Sequence, residues 1–206
     1  MRDNLVRLKD RISLQISRRK LLRNIKESQK SSDFFLEVLA DSMSSLNPDD
    51  KIKYSEFNNT FMYISLVNRD LSYIVKYLFT SDSESEKNFF ARHAIMTIYE
   101  LLIDINSLVG DKLRRELITN GFSNLEVEAK SINKEYSQIK KAHQKKLSEV
   151  RNNYSAHKTK KAIEYLKATR NLDVFWVKKL CFSIVKLNNR TLDLGFRITK
   201  DHIEKI

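Results

Sequence analysis

Proline occurs once in 206 residues, as Pro48, glycine three times, as Gly110, Gly121 and Gly195, and cysteine once, as Cys181. Sheets need tight turns, and tight turns draw on glycine and proline. So few of either over this length exclude a β-rich architecture and predict long helices joined by polar connections. A single cysteine excludes an intramolecular disulfide and a cysteine-based zinc cage; within the apolar run from Trp176 to Phe182 it reads as a core thiol. No stretch approaches the roughly 20 apolar residues of a membrane span. Residues 1–30 alternate charged and apolar positions, without the hydrophobic block of a signal peptide. The expectation is a cytoplasmic chain without stable membrane insertion.

Charge is abundant and unevenly placed. The chain carries 38 Lys and Arg against 26 Asp and Glu, a net +12. Residues 1–30 hold ten basic against three acidic side chains, and residues 130–161 hold ten against two. Residues 31–129 between them hold nine against sixteen. Basic stripes flanking an acidic middle suit a polyanion such as nucleic acid, or serve as solvated helix faces.

Apolar spacing divides the chain. Leu5, Leu8, Ile12 and Ile16 mark a basic amphipathic helix over about 3–30. It can pack on the core, dimerise, or lie along RNA or a membrane surface. A second, shorter helix is expected over 33–45 with Phe34, Leu36, Val38 and Leu39, ended by Asn47-Pro48-Asp49-Asp50. Residues 1–50 thus read as a basic helical arm packing on the core or a partner, and residues 51–206 as the bundle proper.

In the bundle, Phe57, Phe61, Ile64, Asn68, Leu71, Val75 and Leu78 share one helical face, with Asn68 as a paired core amide. A polar loop at 80–87 precedes a strongly apolar helix over 86–109. A short helix follows over 111–119 and a turn at Asn120-Gly121. From 123 to 160 there is no helix breaker. Ile132, Tyr136, Ile139, His143, Leu147, Val150, Tyr154 and His157 recur three or four apart, one face of one helix. Asp173 can cap a last helix that carries Val174, Val177, Leu180, Cys181, Ile184 and Val185, with Gly195 as a candidate interruption. The fold class is all-α, an up-and-down helical bundle with an extra basic N-terminal helix.

The long helix ends in Val150-Arg151-Asn152-Asn153-Tyr154-Ser155-Ala156-His157-Lys158. With 14 arginines and four histidines, an Arg followed by His after four to six residues arises about once by chance, and Arg197 with His202 also fits. Asn directly after Arg sets Arg151 apart from that decoy. Here the chain resembles the HEPN superfamily, helical-bundle proteins of which many are ribonucleases, whose motif is Arg, a polar residue, three to five more, then His. Ala156-His157 and the basic stretch Lys158-Thr159-Lys160-Lys161 are similar too. So is the order of an apolar helix, a motif helix and a last apolar helix over about 86–195. The resemblance implies Arg151, Asn152 and His157 as catalytic residues. It also implies a composite site at a homodimer interface, and a toxin or antiphage role with an antitoxin or other inhibitory partner.

The chemistry stands beside the resemblance. Cleavage of RNA by its own 2′-hydroxyl needs a group of near-neutral pKa to move protons, which histidine supplies. It also needs a fixed cation for the phosphorane oxygens, which arginine's planar fork supplies. No metal and no cofactor are expected. Tyr154 is a candidate to stack a base or to pack against the bundle, and Lys158, Lys160 and Lys161 to hold the phosphate backbone. Arg151 and His157 lie about 120° apart around a helix; arginine's reach or a bend in the helix narrows that gap, or a second copy of the helix places both residue types around one cleft, the arrangement that the resemblance implies. The alternatives are a non-catalytic nucleic-acid-binding module and a helical protein-interaction module.

Overall fold

The structure, a computed structural model, describes residues 2–45, 47–154 and 172–203, with side chains over 19–45, 47–49, 53–152 and 172–200. Seven helices and no strand are present among the described residues: α1 (Arg2–Ser45), α2 (Pro48–Lys53), α3 (Ser55–Thr80), α4 (Glu84–Leu108), α5 (Asp111–Thr119), α6 (Ser123–Tyr154) and α7 (Val174–Ile203). The all-α class is as expected.

Helix α3 is central and packs against α1, α4, α5 and α7, while α6 closes the bundle against α4, α5 and α7. The apolar face read from Phe57 to Leu78 is buried along α3. Helix α4 turns Ala94, Ile95, Ile98, Leu101, Leu102 and Ile105 inward.

Two boundaries differ from the sequence reading. The expected break between helices 3–30 and 33–45 is absent, and one helix runs from Arg2 to Ser45. Ser31, Ser32 and Asp33 have the composition of an N-cap, yet Ser32 is buried and its Oγ accepts a hydrogen bond from Asn68 Nδ2 at 3.2 Å. Tertiary packing therefore uses the hydroxyl that a helix start would have used locally. The same amide donates to Asn189 Oδ1 at 2.9 Å, so Asn68 joins α1, α3 and α7. Phe35 and Leu39 of α1 lie in the common core. Gly195 does not interrupt α7. A Cβ there would lie 2.6 Å from Phe61 Cδ1, so glycine allows the close approach of α7 to α3.

Other turns follow the expected chemistry. Helix α4 ends at Leu108 and α5 begins at Asp111 beyond Gly110. Gly121 has φ +82°, the left-handed conformation that glycine adopts without a Cβ penalty. Pro48 starts α2, where its missing N–H costs no helical hydrogen bond.

The start of α3 depends on a distant side chain. Tyr54 at its N-cap does not cap the helix with its side chain. Instead Glu116 of α5 accepts from the backbone N–H of Phe57 at 2.7 Å and of Glu56 at 2.9 Å. Burial raises the Glu116 pKa, and the two N–H bonds oppose that rise. Glu116→Ala is expected to lower stability by about 1–2 kcal/mol, because two helix-terminal donors lose their acceptor. Glu116→Gln, which keeps one carbonyl oxygen, should lose less. Urea denaturation of the three proteins checks the order.

Candidate active site

Helix α6 positions the site. Its inner face is the one read from the sequence: Ile132, Tyr136, Leu147 and Val150 are buried, with Ile139 and His143 half-buried. A ladder of side chains sets α6 antiparallel to α7. Arg197 Nη2 donates to Glu128 Oε2 at 2.5 Å, and Arg190 Nη1 to Glu135 Oε1 at 2.6 Å. Next to the second of these pairs the fully buried Tyr136 hydroxyl donates to Asn188 Oδ1 at 2.6 Å. Loss of water around that phenol drives its pKa far above the ordinary tyrosine value.

The ladder ends in a polar cluster. Trp176 Nε1 donates to His143 Nδ1 at 3.4 Å, and Lys146 Nζ lies 4.0 Å from the Trp176 ring centroid. Lys146 also pairs with Asp173 at 3.6 Å. Asp173 caps α7, as the sequence predicts, by accepting from Trp176 N–H at 2.9 Å. That backbone hydrogen bond, aided by the lysine, holds its carboxyl below the usual range. His143, read as a core or interface residue, acts here as the indole's acceptor.

One turn further on, Arg151 leaves the inner face at its flank, half-buried, with its guanidinium carbon 5.4 Å from the Tyr99 ring centroid of α4. A cation over an aromatic face is held by the ring's quadrupole. Asn152 beside it is exposed. Tyr154 is the last residue of α6; its side chain, together with His157, Lys158, Lys160 and Lys161, lies outside the described residues. The structure thus places Arg151 and Asn152 side by side and does not locate the imidazole.

The outer face of α6 carries a feature that the motif alone did not reveal. Lys130, Lys134, Lys141 and Lys145 are exposed. At 100° per residue they fall within about 60° of one another, and Asn152 falls in the same sector. The row spans about 33 Å at 1.5 Å per residue and leads to Arg151 and Asn152. Its signal was in the sequence as a spacing of four, seven and four between lysines. Tyr99 had no such signal, since it is one of several large residues on an apolar helix.

Comparison of the chain with protein-family models, with curated proteins and with solved structures finds no match. Among the described residues no group of three or more His, Cys, Asp or Glu side chains is placed to hold a metal ion. No described helix is long and apolar enough to cross a membrane. Cys181 is buried, and burial pushes its thiol up to about 12, the setting of a core thiol.

Proposed function

We propose that this chain is a metal-independent endoribonuclease of the HEPN type, with a composite site at a homodimer interface. The observation that supports it most is the row of exposed lysines on α6 that leads to Arg151 and Asn152. Such a row attracts a phosphate backbone along its length. An arginine already held against an aromatic ring has less freedom to lose when it takes up a phosphate.

In this reading the His157 imidazole removes the proton from a ribose 2′-hydroxyl. The 2′-oxygen attacks the adjacent phosphorus, the bond from phosphorus to the 5′-oxygen breaks, and a protonated imidazole returns a proton to that oxygen. Arg151 holds the negative oxygens of the phosphorane and Asn152 orients the phosphate. The products are a 2′,3′-cyclic phosphate and a 5′-hydroxyl. Tyr154 stacks a base, and Lys158, Lys160 and Lys161 extend the cationic track. The resemblance supports a toxin or antiphage role restrained by an inhibitory partner.

The test is incubation with end-labelled single-stranded RNA in EDTA. Cleavage is expected to persist and to leave cyclic phosphate ends. His157→Ala should abolish it while the thermal unfolding profile stays unchanged. Undiminished cleavage by that variant sinks the mechanism. RNA binding that weakens steeply with salt, without any cleavage, marks a non-catalytic binding module instead.

A further inference from the structure

A cleft lies over α3, between α1 and α7, and the proposed cleavage chemistry makes no use of it. At one end the two outer helices touch, where the rings of Phe35 and Phe196 stand 4.1 Å apart between centroids. Beyond that ring pair a gap opens between them. Leu21 of α1 and Phe182 of α7 line its far end. Each lies fourteen residues back along its helix, about 21 Å of rise. The gap measures about 510 Å³ in its outer part and about 380 Å³ toward the ring pair, and the two parts meet at Ser28 and Asn189. Small-molecule sites have this size.

The two parts differ in chemistry. Leu21, Ile25, Val75, Phe182 and Val185 make the outer part apolar. Toward the ring pair the floor is Asn68 of α3, which is 1% exposed. Its Nδ2 is within reach of three oxygens: Asn189 Oδ1 at 2.9 Å, Ser32 Oγ at 3.2 Å and Ser28 Oγ at 3.3 Å. A carboxamide nitrogen carries two hydrogens, so the donors of Asn68 are fully used. Its Oδ1 is buried and meets no donor among the described residues. A buried acceptor left unmet is costly. The charges along the cleft are matched otherwise. Arg190 pairs with Glu135 at 2.6 Å, Asp193 with Arg197 at 3.4 Å and Glu27 with Arg23 at 2.9 Å. Lys186 is exposed at the outer rim.

We infer that this cleft binds a neutral aliphatic amide. The ligand's N–H donates to Asn68 Oδ1, and its alkyl chain lies on the apolar outer part. Ser28 Oγ already accepts from Asn68, which leaves its own hydrogen for the ligand's carbonyl oxygen. The head reaches Asn68 by parting Ser28 from Ser72, whose hydroxyl oxygens are 3.5 Å apart, a weak contact. A carboxylate has acceptors only. It would set oxygen against oxygen at Asn68 and bury a charge beside pairs that are already matched. The unmet acceptor and the matched charges together select a neutral head that carries a donor.

NMR titration of the full chain with octanamide, and with octanoate as its anionic counterpart, tests the site without reference to RNA. Octanamide is expected to saturate with a dissociation constant below about 1 mM. It should perturb backbone amides along residues 21–32, 68–75 and 182–196. Octanoate should bind about tenfold or more weakly. Ser28→Ala should weaken octanamide binding by about threefold to tenfold, the loss of one hydrogen bond. Asn24→Trp, at an exposed position on the rim, should fill the cleft and abolish binding while the chain still unfolds cooperatively. Octanoate that binds as tightly as octanamide overturns the neutral head and makes Lys186 an anion anchor instead. Failure of octanamide to bind at about 5 mM overturns the site. So does binding that Asn24→Trp leaves intact, or perturbation confined to other helices.

Discussion

Replacing Phe61 with alanine is expected to lower the unfolding free energy by about 3–5 kcal/mol, the range for a large aromatic removed from a packed core. Phe61 is fully buried in the middle of the bundle, with its ring centroid 4.7 Å from that of Phe57 and 6.4 Å from that of Phe35. On its other side α7 comes so close that only Gly195 fits. One ring thus holds α1, α3 and α7 together. Gly195→Ala should also destabilise. The new methyl meets the ring, at a cost of about 1–3 kcal/mol, against about 1 kcal/mol gained in helix propensity. The two changes are coupled, because the space lost at 195 is the space opened at 61. The double variant should therefore be more stable than the sum of the single losses predicts, by about 1 kcal/mol or more. Urea denaturation of all four proteins measures the coupling. Strict additivity would show that the two residues do not compete for the same volume.

Arg151→Ala is expected to reduce RNA cleavage by about 10²–10³-fold, the usual effect of losing one group that stabilises transition-state charge. Folding should change little, because the guanidinium contributes to stability through its place on the Tyr99 ring, worth about 0.5–1 kcal/mol. Arg151→Lys keeps the charge but loses the planar fork that meets two phosphate oxygens at once, so it should recover only part of the rate. Tyr99→Leu removes the ring that positions the guanidinium and should slow cleavage less than Arg151→Ala does. Single-turnover rates, with the melting temperature of each variant, separate these effects. An Arg151→Ala protein that cleaves at the wild-type rate removes Arg151 from the mechanism.

Much of the fold was legible because helices announce themselves locally. The faces of α3 and α6 follow from the three-and-four spacing of apolar residues, and Asp173, Gly110 and Gly121 stand where caps and turns need them. The one helix divided in error shows the limit of local signals. Ser31-Ser32-Asp33 offers caps, but whether a hydroxyl caps its own helix or bonds to Asn68 depends on which helix lies opposite. Gly195 is similar. The residue type indicates special backbone behaviour, while the reason for it, the ring of Phe61, lies on a helix more than a hundred residues earlier.

The candidate site was legible as chemistry and not as geometry. Arg151 and Asn152 stood out by type and order, and the lysine row by spacing. That Arg151 leans on Tyr99 depends on how α4 and α6 align.

By itself the amino-acid sequence determined the helical class, the placement of most helices, the inward faces and the basic character of α6, because these depend on residues within a few turns of one another. Only the tertiary structure decided that α1 is continuous, that Glu116 caps α3, that a glycine admits α7, and that Arg151 rests on Tyr99. Each of those is a contact between segments far apart in the chain, and a local pattern carries no information about which distant partner will arrive.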